Sequence, residues 1–433
     1  MNKSYENMAK LGLHPANILI PKKGTDLNKW AIVACDQYTS NRNYWERVKN
    51  KVGENYSTLN LIFPEVYLED GDNEERIQSI NQTMESYVND KLFTTYEHCF
   101  FLVKRQTPRS TRWGLVGTLD LEAYDYSPSS TSLIRATEGT ILSRIPPRKA
   151  IRKNALLELP HIMVLIDDKK RSVIEPLKGK GELVYDFDLM ENGGHLSGYQ
   201  IADPSLLEGI SSALTQMYAN LDKKNPLLYA MGDGNHSLAT AKSLWEDIKK
   251  DLSEEEKKNH PSRFALVEIE NIHDEGLQFE PIHRVLFSIN KTVFESLLGQ
   301  YTDSFTVEDV ACASKIEERI NQEGLQKFGY VDGEGNALVY SLDAPQAAIA
   351  AGTLQLIIDT MLSTTKSKVD YIHGLEETIT LGSQKGNIGI ILPNISKETF
   401  FEAIIKDKAL PRKTFSMGEA NEKRYYMEAR RLK

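Results

Sequence analysis

The stretch LLYAMGDGNHSLATAKSLWE, residues 227–246, constrains the fold of this chain more than any other. An apolar run stops at Met231, turn residues follow from Gly232 to Asn235, and apolar side chains then recur at helical spacing. The run PLLYAM reads as a strand buried on both faces. Leu238, Ala241, Trp245 and Ile248 make one apolar stripe that must face a core. The unit is therefore strand, glycine turn, helix. Its geometry leaves the first helical amides without intrahelical acceptors, at the positive end of the helix dipole. Gly232 and Gly234 permit positive φ and lack the Cβ atoms that would block a ligand. An oxyanion is well received at such a place. Asp233 is then a candidate catalytic residue and Mg²⁺ ligand, and His236 a candidate oxyanion donor or proton carrier near neutral pH. Asn235 and Ser237 are candidates for capping the helix or holding a phosphate. Asp-Gly, Asn and Ser are also ordinary turn and cap residues, so the same stretch can be only a corner.

Elsewhere, strand-like runs at 30–38, 99–107, 112–124, 161–168 and 263–271 alternate with helix-like segments at 41–54, 74–93 and 203–221. PRST between the second and third runs predicts an antiparallel hairpin. Beyond residue 290 come helical patterns at 291–300, 312–323, 347–363 and 397–407, with a strand pair around 331–336. This mixture predicts an α+β (mixed α/β) fold, with a first region over 1–290 and a C-terminal α+β region over 291–433. The chain of 433 residues is long enough to bury a large core without disulfides. Cys35, Cys99 and Cys312 follow no CxxC spacing and read as free thiols, which points to the cytoplasm. Its N-terminus lacks the apolar stretch of a signal peptide, and the run at 347–362 is too short to span a bilayer. A net charge of −9 argues against nucleic-acid and anionic-membrane partners.

No Walker A motif is present, and KGKGE at 178–182 lacks the GK[ST] ending. The turn D-G-N-H-S, Asp233 to Ser237, resembles the D-G-H-H-R signature of a bacterial and archaeal family known as domain of unknown function 1015. The segments at 136–168, PIHRVLF at 281–287, VDYIHG at 369–374 and 410–430 fit the same family in order. That family is similar in turn to ParB/sulfiredoxin-like proteins, which include free-serine kinases. The resemblance implies a ParB/sulfiredoxin-like mixed sheet with flanking helices that binds a nucleotide, ADP or ATP, through its phosphates. Two departures stand out: Asn235 replaces the first His, and Ser237 replaces the Arg that would clamp a phosphate. Sulfiredoxin chemistry needs a cysteine in this turn, and none is present.

If phosphates bind here, cations must come from elsewhere. Arg144, Arg148, Lys149, Arg152 and Lys153 form a basic stripe on a helix that can start after Pro146-Pro147. Arg412, Lys413, Lys423, Arg424, Arg430 and Arg431 are a second source. Both sets read equally as solvated charge. Glu138, preceded by Arg135, is a candidate general base for a substrate hydroxyl. Asp36, Gln37 and Tyr38 fall at a strand's carboxyl end, where ligands bind, and His283 and Arg284 at a strand edge. These five residues and Arg135 are the candidate substrate contacts. No HExxH or Cys/His cluster supports zinc. A Mg²⁺ held by substrate phosphates and Asp233 would leave little trace in the sequence. The expected function is a nucleotide-dependent phosphotransferase acting on a small hydroxylated metabolite, alone or as a homodimer. The alternative is a non-catalytic nucleotide or metabolite sensor. A ParB-type DNA-binding module is disfavoured by the charge and by the lack of a helix-turn-helix.

Overall fold

The two runs flanking PRST form the expected hairpin. Strands β1 (Phe93–Gln106) and β2 (Thr111–Asp120) pair antiparallel from Phe101 opposite Val116 to Gln106 opposite Thr111. The computed structural model describes residues 3–322 and 324–433. Packing divides the chain into two units, Met1–Leu277 with Gly418–Lys433, and Gln278–Met417. The fold is α+β, with mixed sheets and helices in both units.

In the first unit the hairpin lies inside a long mixed sheet. Its further strands are β3 (Ile134–Arg135), β4 (Met163–Ile166), β5 (Glu182–Leu189), β6 (Gly194–Ile201), β7 (Tyr229–Asp233) and β8 (Phe264–Asn271). They run in the order β5-β6-β1-β2-β8-β4-β7-β3, with Tyr124–Asp125 beyond β3. The pairs β8/β4 and β7/β3 are parallel, whereas β4/β7 is antiparallel. Strand β7 is thus an interior strand, and Leu227 to Met231 are fully buried, as a two-sided apolar run requires. Helix α1 (Ile145–Lys153) carries its two prolines in the first turn. Helix α2 (Asn235–Ile248) follows β7 directly and lays Leu238, Ala241 and Trp245 into the core.

A boundary at 290 would leave residues 418–433 with the second region. They pack instead within the first unit: Tyr425–Tyr426 pair with Ile32–Val33, Arg430–Arg431 with Leu157–Glu158, and Ala429 bridges Leu19. The reason is apolar burial. Tyr425, Tyr426, Met427, Ala429 and Leu432 join the cluster of Trp30, Trp45 and Phe101. The strand expected over 30–38 is correspondingly short, only Ile32–Val33 being paired.

The second unit is an antiparallel sheet in the order Ser304–Asp309, Ala337–Asp343, Gln326–Asp332, Asn387–Ile391, Phe279–Phe287, Lys368–His373. The apolar run near 350 is its buried helix, Ala350–Thr364, with Leu354, Ile357, Ile358 and Met361 in the core. Among the described residues, no helix is long and apolar enough to cross a membrane.

Candidate functional site at the start of a buried helix

Gly234 sits at φ 79°, in the left-handed region, and a Cβ there would meet Ile162 Cα at 3.1 Å. Glycine therefore satisfies both the sharp turn and the close approach of β4. The N-cap of α2 is Gly234, which has no side chain to cap the helix. The side-chain oxygen Oδ1 of Asn235, at the first helical position, is buried and has no hydrogen-bond partner, and so is the Thr140 hydroxyl.

Asp233 Oδ1 accepts the Gly234 N–H at 2.8 Å, and Oδ2 lies 3.1 Å from Lys423 Nζ. Burial pushes the Asp233 carboxyl up. Lys423, His161 and the Gly234 amide outweigh that and hold it below the usual carboxylate range. The cation missing from the turn thus arrives from the C-terminal segment. Next to it, Ser237 Oγ is 2.9 Å from His161 Nε2, and His161 Nδ1 is 2.8 Å from the Tyr426 hydroxyl. Asp36 Oδ2 stands 3.9 Å from His161 Nε2.

The loop carrying Glu138 runs across this turn. Thr137 Oγ1 donates to Met231 O at 2.7 Å, and Ile141 N donates to His236 Nε2 at 3.2 Å. Glu138 is bracketed by these two tethers. The His236 Nε2 that accepts this amide hydrogen is an unprotonated ring nitrogen. A cavity of about 140 Å³ adjoins the helix start, walled by Ser237, His161 and Tyr426 on one side and by Leu61, Phe63 and Met84 on another.

Of the basic stripe, Arg148 and Arg152 line the same cavity, paired there with Glu65 and Glu158, while Lys149 pairs with Asp247. Arg144 and Lys153 are exposed. Arg135 is buried, and its guanidinium donates to the carbonyls of Ser130, Ser132, Asn225 and Pro226, at 2.9 Å for Pro226. Its donors hold backbone, not a substrate. Gln37 donates to Asp36 at 3.1 Å, whereas Tyr38 turns to stack on Tyr44, centroids 3.7 Å apart. In the second unit, Arg412 and Lys413 are exposed. His283 is buried there and accepts the Leu392 N–H at 3.1 Å. Burial, then Arg284 and His373, push it down to about 4 and keep it neutral. The Arg284 guanidinium lies 4.4 Å over the Tyr371 ring.

His161 and Tyr426 are absent from the sequence-derived candidates. His161 sits in an apolar run and Tyr426 between charged residues, where each reads as an ordinary core or surface side chain. Among the described residues, no group of three His, Cys, Asp or Glu side chains is placed to hold a metal ion. Asp233 is moreover engaged by an ammonium and an amide. The residues present do not fit a Mg²⁺ held by the protein, and a Mg²⁺ travelling on nucleotide phosphates belongs to the substrate.

Residues 19–361 match the family model described as a protein of unknown function, DUF1015. The chain belongs to this family. No curated protein matches this DUF1015 chain. Among solved structures it is similar to a mutant free serine kinase in complex with AMP, at 9% identity and TM-score 0.40, over 76% of this chain and 95% of the other. A mutant free serine kinase in complex with ADP has 10% identity and TM-score 0.39, over 73% and 91%. SbnI with C-terminal truncation, from Staphylococcus aureus, has 12% identity and TM-score 0.35, over 70% and 82%.

Proposed function

We propose that this DUF1015 protein is a nucleotide-dependent phosphotransferase acting on a small hydroxylated metabolite, with a ParB/sulfiredoxin-like first unit. The observation that carries the reading is Lys423, delivered 3.1 Å from Asp233 to the uncapped start of α2. The positive end of the α2 dipole and one buried ammonium are complementary to a terminal phosphate. The orphan Asn235 Oδ1 is available to a donor on the ligand. On this reading the substrate hydroxyl attacks the terminal phosphorus of ADP or ATP, carried as the Mg²⁺ complex. Its proton passes to Glu138, and the bond from that phosphorus to the nucleotide breaks.

The test is thermal stabilisation by ADP, ATP and CTP, with and without Mg²⁺. A shift is expected for the parent protein and a much smaller one for Asp233→Ala and His236→Ala. Unchanged melting with all three nucleotides removes the proposal. Phosphorus NMR on nucleotide mixed with pooled amino acids and small alcohols then reads turnover, since only an enzyme makes a new phosphoester. One observation favours a sensor instead. Asp233 and Lys423 already neutralise each other, a resting pair that a ligand could exchange without chemistry. Binding without a phosphoester assigns that role.

A further inference from the structure

Three separate elements bring Ser237, His161 and Tyr426 into one hydrogen-bonded chain. Ser237 lies in the first turn of α2, His161 just before β4, and Tyr426 in the C-terminal segment. Ser237 does not cap its helix; its hydroxyl is 2.9 Å from His161 Nε2. On the other side of the ring the Tyr426 hydroxyl, which accepts the Cys35 N–H at 3.2 Å, lies 2.8 Å from His161 Nδ1. In the tautomer with its proton on Nδ1, His161 donates to Tyr426 and its Nε2 accepts the proton of Ser237. An imidazolium formed there would be flanked by the Asp36 carboxylate, 3.9 Å from Nε2. Nucleophile, base, an orienting group and a nearby carboxylate are the parts of an activated serine. Ser237 and His161 also line the 140 Å³ cavity.

We infer that Ser237 is a nucleophile with His161 as its general base, and that phosphoryl transfer runs in two half-reactions through a phosphoserine at position 237. The inference rests on the nucleotide reading above and specifies its chemistry. In the first half-reaction Ser237 Oγ bonds to the terminal phosphorus and the phosphorus–oxygen bond to the nucleotide breaks. The bond's electron pair leaves with the nucleotide, and the serine proton moves to His161 Nε2. Lys423 and the first-turn amides face the charge on the transferred group. In the second, the acceptor oxygen bonds to that phosphorus and the Ser237 Oγ–phosphorus bond breaks. Glu138 takes the acceptor proton, and Oγ regains its own from His161.

A two-step path predicts exchange without the acceptor, so the acceptor's identity is not needed. The full chain is incubated with Mg²⁺, ATP and isotope-labelled ADP, and in parallel with ADP and labelled AMP. Nucleotide exchange is followed, peptides are mapped for phosphoserine, and melting is recorded on the same samples. Phosphoserine at 237 together with exchange is expected, both falling by about 100-fold or more in His161→Gln. Should that variant not fold, Tyr426→Phe takes its place and is expected to lower both about tenfold. Stabilisation by nucleotide with no phosphoserine and no exchange overturns the inference and leaves the phosphotransferase reading standing, with direct transfer. Phosphate on another residue, or phosphoserine indifferent to His161→Gln, also overturns it. If no nucleotide stabilises, phosphorylates or exchanges, the functional reading fails and this inference fails with it.

Discussion

Lys423 Nζ and Asp233 Oδ2 lie 3.1 Å apart, joining the C-terminal segment to the turn that opens α2. Only 10% of the lysine side chain and 25% of the aspartate side chain are exposed, so water screens the pair weakly. Lys423→Met is expected to destabilise the first unit by about 1–3 kcal/mol, because a mostly buried carboxylate loses its cation. Asp233 has a depressed folded pKa, and its contribution is therefore present above the unfolded carboxylate value and disappears as pH falls through the folded one. The parent and the variant should accordingly converge in chemical-denaturation stability below the ordinary carboxylate range. A constant difference down to acid pH would show that the pair is not the source of the effect.

Arg135 separates a structural from a substrate-binding arginine. Its donors are engaged by the carbonyls of Ser130, Ser132, Asn225 and Pro226, next to the parallel pairing of β3 with β7. Arg135→Met leaves those buried acceptors unmatched and is expected to cost about 2–4 kcal/mol in urea melts. Any nucleotide-induced rise in melting temperature should persist in the variant. Loss of that rise with stability unchanged would put Arg135 back in the site.

Local pattern carried much of the fold. The hairpin of β1 and β2, the buried β7 and the α2 stripe follow from apolar periodicity, which is set by whichever core each element faces. The site was legible only where its residues are adjacent in sequence, from Gly232 to Ser237. Lys423 appeared as one cation among several, because nothing in EKRYYMEARR says which charge turns inward; Arg424 meets Glu268 and Glu428, and Arg430 meets Glu158. The basic stripe at 144–153 looked like an anion patch for the converse reason. Its partners Glu65, Glu158 and Asp247 come from three other segments. His161 is chemically conspicuous only once Ser237 and Tyr426 are beside it.

Glu422 anchors the same C-terminal segment through Arg109, with Nε–Oε1 at 3.0 Å. Burial pushes this carboxyl up, but Arg109 and the Glu419 amide prevail and bring it down from an ordinary 4.5 to about 2. A depressed folded value means that the stabilisation is complete above pH 4.5 and is lost as pH falls toward 2. Arg109 is 38% exposed, so screening limits the contribution to about 1–2 kcal/mol. Glu422→Gln should lose that amount at pH 7 and show a shallower decline in stability between pH 5 and pH 3. The check is a series of denaturant midpoints across that range, about one pH unit apart. Parallel curves for the two proteins would exclude Glu422 as a source of acid lability.

Glu138 is tied to the turn without being part of it. The Thr137 hydroxyl fixes one side of the loop on Met231 O at 2.7 Å, and the Ile141 amide fixes the other on His236 at 3.2 Å. Those anchors belong to neighbouring residues and are retained when Glu138 is replaced. Glu138→Gln keeps the shape and removes the basicity. If Glu138 takes the proton of the acceptor hydroxyl, turnover should fall about 10²–10⁴-fold, the usual range for removing a general base. The nucleotide-induced thermal shift should change by far less, because the phosphates are read by the α2 amides and Lys423. Phosphoester formation measured by phosphorus NMR, beside melting curves of the same samples, separates the two effects. Equal loss of binding and turnover would make Glu138 a nucleotide contact, and full turnover in the variant would pass the base role to another residue.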